Sequence, residues 1–256
     1  MSIHRQNGST LIVVMFILII ITIIGALAAK SGMLGLKMAT NSQAVHILNQ
    51  NTDAAFIPIE DSNKISSYLI GTGIFGFPKM EANRNRELVF CYKGSEANFY
   101  SLRRASLIYI DEVGNLKKDS LGVDGYCKAE SGFFSSGRSA TLTQISVRVG
   151  TPTNTPVVPF SGVAEGTDTE GGKVDEAAYM VVAVTSVMPV LSDADRDEIT
   201  DCMQNLSYVS PGSSQITISE CLEGLGVPYK TQISEYNLNQ IVKKSTTTSD
   251  DASASI

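Results

Sequence analysis

From Ser9 to Ala29 the chain carries no charged residue. The stretch LIVVMFILIIITIIGALAA, residues 11–29, is as long as a helix needs to be to cross a bilayer core, about 20 apolar residues. Its flanks are His4 and Arg5 before it and Lys30 after it, too few cations to set an orientation by themselves. The apolar run does not end the helical pattern. No proline occurs between Ser9 and Pro58, and Leu34, Met38, Val45, Leu48 and Ala55 recur at spacings of 4, 7, 3 and 7, one stripe of a helix. A helix from Ser9 to Ile57 would be about 73 Å long at 1.5 Å per residue, more than twice the thickness of a bilayer core. Gly32 and Gly35 weaken it just past the apolar run, by about 1 kcal/mol each relative to Ala, and fit either close packing or a bend at the membrane exit.

Three readings of this start compete. Ala26-Leu27-Ala28 matches the small-x-small site of a secretory signal, but the apolar run exceeds the roughly 7–15 residues of a signal core. A plain single-span anchor needs only the length and the hydropathy. The third reading rests on Gly8-Ser9-Thr10-Leu11-Ile12, which resembles the processing junction of the type IV pilin and pseudopilin family. That resemblance implies a leader of residues 1–8, cleavage by a prepilin peptidase between Gly8 and Ser9, and methylation of the new amino terminus on Ser9. Glycine suits the cut because a peptidase holds the scissile backbone without a side chain in the way. Ser9 can also cap the helix that follows.

In major pilins the fifth mature residue is usually Glu, thought to meet the charged amino terminus of an adjacent subunit. Here that position is Val13. A carboxylate in a membrane helix is costly unless paired, so Val13 rests in lipid more easily and leaves the subunit a poor repeating unit. PilX-type minor pilins and the K-type pseudopilin of type II secretion also lack this Glu. The junction, Val13 and the stretch KSGMLGLKMATNSQAVHILNQNTDAA resemble a PilX-type minor pilin most closely, specifically over Gly8–Ala55 and only generally beyond it. The resemblance implies a low-abundance minor pilin that helps start type IV pilus assembly, at or near the tip, in support of twitching motility, adhesion and DNA uptake. Its partners would be other minor pilins, the major pilin, a tip adhesin and the inner-membrane assembly platform. A K-like pseudopilin and a membrane-anchored periplasmic binding domain are the alternatives.

The remainder reads as a head of residues 58–244 with a low-complexity tail at 245–256. Pro58 breaks the helix, and a short helix is expected over Glu60–Ile70, ending at Gly71. Strands are expected at Glu87–Tyr92, Leu107–Asp111, Thr141–Val149 and Met180–Met188, with a turn at Val113-Gly114-Asn115. In Thr141–Val149, Ile145, Val147 and Val149 alternate with Ser146 and Arg148. A long helix followed by strands is an α+β pattern, an antiparallel sheet laid on the helix. Residues 150–177, rich in Thr, Gly, Pro and acid, form a long loop that fits disorder as well as a subunit contact.

An even set of cysteines, Cys91, Cys127, Cys202 and Cys221, suits an exported head and allows three disulfide connectivities. We take the sequential pairing, Cys91–Cys127 and Cys202–Cys221; the second pair resembles the C-terminal disulfide loop of pilins. An oxidising compartment places the head in the periplasm, with the amino terminus in the cytoplasm, and then at the cell surface in a pilus.

Catalytic and ligand chemistry finds little material. The only histidines are His4 and His46, and no serine or cysteine sits in a nucleophile motif, so neither an enzyme nor a metal or cofactor site is expected. The net charge of -6 comes with no basic block, so no nucleic-acid site is evident. Gly71-Thr72-Gly73-Ile74-Phe75-Gly76 fits a dinucleotide-binding pattern but lacks the preceding strand that such a site requires. Ser192–Glu198 resembles the start of a calcium loop, yet Glu198 and Gln204 stand where Gly and Glu are needed. A helix start with Ser192 as cap and Asp195 near its third position is the better expectation.

Overall fold

The computed structural model describes residues 9–94, 96, 100–123, 125–130, 132–135, 139–150, 179–209 and 213–238. The leader through Gly8, the loop residues 151–178 and the C-terminal tail lie outside the described residues. The chain divides into two compact units, Met1–His46 and Ile47–Ile256. The division falls inside the first helix rather than at Pro58.

Helix α1 runs Ser9–Phe56. Within the first unit, the hydroxyl of Thr22 donates to the carbonyl of Ile19 at 2.8 Å and that of Thr40 to Leu36 at 2.9 Å, so both polar groups are satisfied by their own helix. For Thr22, inside the uncharged run, such back-bonding is what a hydroxyl in a hydrocarbon setting requires.

The second unit begins with the last turns of α1. Of the stripe residues, Leu48 and Ala55 lie here and are buried, with Thr52 and Phe56 beside them. Pro58 follows the end of the helix. Its carbonyl accepts a 2.7 Å bond from the Tyr68 hydroxyl, whose burial pushes its pKa up to about 12. The expected short helix is a 3-10 turn, Ser62–Lys64, running into α2, Ile65–Leu69. A second short helix, α3, spans Gly76–Lys79.

Six strands then form one antiparallel sheet: β1 Glu87–Tyr92, β2 Ala105–Ile110, β3 Leu116–Ser120, β4 Leu142–Gly150, β5 Tyr179–Val187 and β6 Tyr229–Asn237. Their order is β3-β2-β1-β4-β5-β6. The four expected strands are present within two residues of their expected bounds, and Gly114 takes the positive φ of 91° that the β2–β3 turn demands. The two edge strands were not anticipated. β3 is LKKDS and almost wholly exposed, and β6 mixes Lys, Gln, Glu and Asn among its apolar residues. Charged, polar edges protect a sheet against pairing with strangers, and the same composition hides them from a pattern search.

The sheet is covered on both faces. One face packs Leu88, Phe90, Ile145, Val147, Met180 and Val182 on Ala55, Phe56 and Ile59 of the α1 end and on Ile74 and Phe75. The other face meets α4, Arg196–Cys202, and α5, Ile218–Gly224, through Leu142, Val187, Ile199, Met203, Ile218 and Leu222. The polar face of β4 is therefore no solvent face: Gln144 and Ser146 are buried. The alternation marked two different interiors, one apolar and one mixed.

Candidate functional site

Two parts of the molecule carry functional information, the apolar helix and the disulfide-bonded head. α1 is described from Ser9 onward, and Gly8 lies outside the described residues. Val13 stands in the first turns with its side chain exposed among exposed neighbours. From Leu11 to Ala29 every side chain is exposed and none is charged. Among the described residues this is the one helix long and apolar enough to cross a membrane. Such a helix has one physical outlet for its surface, which is hydrocarbon, whether of lipid or of other apolar helices. His46 lies exposed further along α1.

The four cysteines form Cys91–Cys127 and Cys202–Cys221, across 36 and 19 residues, and no described cysteine is free. Each closure is worth about 3–4 kcal/mol in the chain-entropy account. The first ties the end of β1 to the segment after β3. The second joins α4 to α5, which together cover the mixed face of the sheet. Gln144 of β4 binds both loops: its Oε1 accepts the N–H of Cys127 at 2.8 Å and its Nε2 donates to the carbonyl of Met203 at 2.7 Å. Nothing in the sequence marked Gln144, because a polar residue on an alternating strand reads as solvent-facing.

Glu87 is the other buried group that the sequence did not reveal. It is fully enclosed at the start of β1, where the backbone N–H of Ser207 donates to both carboxylate oxygens, at 2.9 and 3.2 Å. Burial pushes its pKa up, while the Ser207 N–H and the nearby Arg148 charge pull it back. The guanidinium of Arg148 lies 4.5 Å from the centre of the Tyr208 ring, which closes this polar cluster.

The two motif-like stretches have structural explanations. Gly71–Gly76 follows α2 rather than a strand. A Cβ on Gly73 would meet the Tyr68 carbonyl oxygen at 2.3 Å, and one on Gly76 the Ile70 carbonyl oxygen at 1.9 Å. These glycines let two backbone segments touch. In the 192–198 stretch, the cap of α4 is Asp195, not Ser192. The Asp195 side chain accepts from Asp197 N at 3.1 Å, and Glu198 reaches back to the Asp195 N–H in a capping box. Ser192 instead accepts from Ala194 N at 3.1 Å. The cap falls three residues later than expected, and Ser192 instead ends the 3-10 turn Pro189–Leu191, its N–H bonded to the Pro189 carbonyl. Thr217 and Glu220 make a second capping box at α5, and the motif Thr217-Ile218-Ser219-Glu220 is legible in the sequence.

The architecture is pilin-like: a long apolar N-terminal helix whose last turns pack on an antiparallel sheet, in a head with two disulfides. One helix able to span a bilayer and a disulfide-bonded head suit a membrane-anchored, extracytoplasmic protein. No family model, curated protein or solved structure matches the chain.

Proposed function

We propose that the chain is a minor pilin of the PilX type, inserted in small numbers into type IV pili. It helps initiate assembly at the inner membrane and ends at or near the tip, where it supports twitching motility and adhesion. It works as a structural and binding subunit, not as an enzyme, and needs no cofactor. A prepilin peptidase removes residues 1–8 after Gly8, and Ser9 is methylated. Its partners are other minor pilins, the major pilin, a tip adhesin and the assembly platform.

The observation that carries this reading is α1 itself. One helix, described from Ser9 onward, stays uncharged through Ala29 with Val13 in place of the usual Glu, and ends under an antiparallel sheet. The charge pair that helps a repeating subunit into register is absent, which fits a subunit used once or a few times. Deleting the gene for this chain tests the assignment to a machine. Loss of surface pili and twitching, with enzyme secretion intact, is the expected outcome. Blocked secretion with normal twitching would assign the chain to a type II secretion pseudopilus instead, and neither defect would leave an anchored binding domain.

A further inference from the structure

The uncharged run of α1 stops at Ala29, but the apolar surface of the helix continues. Past Lys30 come Met33, Leu34, Leu36 and Met38, exposed by 68, 54, 70 and 72%. A helix segment meant for water carries polar side chains at such positions. Lys30 and Lys37 are the charged residues between positions 30 and 38, and the chain has no acid before Asp53. The two lysines stand about two helical turns apart and so share one side of α1. Length gives the scale. Leu11–Ala29 rises about 28 Å, close to the roughly 30 Å of a hydrocarbon core. Leu11–Met38 rises about 42 Å, within the roughly 40–45 Å of a bilayer with both headgroup layers.

The apolar surface of α1 is therefore sized to the whole membrane, and the two lysines fall where it crosses the headgroups. Lysine suits that depth, because its stem lies along apolar surface while its ammonium reaches outward to phosphate. The charges also choose between occupants. A second copy of this helix alongside in register would bring two more lysines and no acid, whereas lipid phosphate supplies the opposite charge. We propose that residues 30–38 of α1 are a binding segment for anionic lipid. Lys30 and Lys37 hold lipid phosphates, and Met33, Leu34, Leu36 and Met38 lie among the headgroups and the upper acyl chains. The proposal rests on α1 being a membrane helix and does not depend on the chain being a pilus subunit.

The chain has no tryptophan, so a single substitution supplies the sole indole. Leu36→Trp reports on the proposed segment and Ile20→Trp on the centre of the uncharged run. Each full-length variant is placed in vesicles of phosphatidylcholine, with or without phosphatidylglycerol, whose acyl chains carry bromine at shallow or deep positions. Deep bromine should quench Ile20→Trp in both lipids. Shallow bromine should quench Leu36→Trp, and more strongly when phosphatidylglycerol is present. Adding Lys30→Gln and Lys37→Gln should remove that difference between the lipids, since each lysine is worth about a fivefold bias toward an anionic surface. Rising salt should shrink it without any change to the lysines. Leu36→Trp left unquenched beside a quenched Ile20→Trp would overturn the proposal and keep the span. Quenching of Leu36→Trp that ignores lipid charge would overturn it as well. Quenching of neither variant would overturn the membrane reading of α1 and the proposal with it.

Discussion

In α1 from Leu11 to Ala29 every side chain is exposed, whereas in β4 every side chain from Leu142 to Val147 is buried. Both stretches are rich in Val, Ile and Leu. They differ in where the partners for those residues are found. The head supplies its own: the end of α1 on one face of the sheet, and α4 and α5 with both disulfides on the other. The apolar start of α1 has none within its unit, so its partners are lipid or other helices. A region that closes on itself is sensitive to single atoms. A region completed from outside tolerates change as long as it stays apolar and helical.

Glycine separates the two regimes most sharply. Gly76→Ala would drive a Cβ into the Ile70 carbonyl and should cost about 4 kcal/mol or more, enough to unfold a marginal head. Gly35→Ala on α1 meets nothing within 4 Å and should leave the melting temperature of the head unchanged, while favouring the helix by about 1 kcal/mol. Thermal unfolding followed by near-ultraviolet dichroism compares them. Equal tolerance of both changes would remove the contrast.

Gln144→Leu is the next largest change. It keeps the volume but leaves the Cys127 N–H and the Met203 carbonyl buried without partners, at about 2–4 kcal/mol for the two together. Urea titration should show the loss with both disulfides still formed. A variant as stable as the parent would mean that these loops do not depend on β4.

Glu87 gives a smaller, pH-dependent effect. Burial raises its carboxyl, so the folded chain holds that proton more tightly than the unfolded chain. The stability this contributes is complete below the ordinary carboxylate value and is lost as pH rises through the raised folded value. Glu87→Gln keeps an acceptor for the Ser207 N–H and removes the titration. Its stability should therefore hold where that of the parent declines. Parallel curves for the two proteins would show that Glu87 stays charged throughout.

The sequence displays what depends on long apolar periodicity and hides what depends on meeting across space. α1 was legible because forty-eight residues share one pattern without a proline. β1, β2, β4 and β5 were legible because apolar β-branched and aromatic residues cluster in them. β3 and β6 were not, since an edge strand needs polar residues and so resembles a loop. The contact of β4 with two different interiors was invisible too: Gln144 and Ser146 look like solvent-facing residues until α4 and α5 fold over them. The closely spaced 192–198 acids gave the right element and the wrong cap, because Asp and Ser are equally good N-caps and Ser192 closes the preceding 3-10 turn instead.

The most direct test of the account is the intact mass and amino-terminal sequence of the chain extracted from membranes. A product beginning at methylated Ser9, with α1 retained, is the predicted result. A chain beginning at Ala29 would contradict it, since the apolar helix would then be a discarded signal, and an uncut chain beginning at Met1 would contradict it by leaving an ordinary anchor.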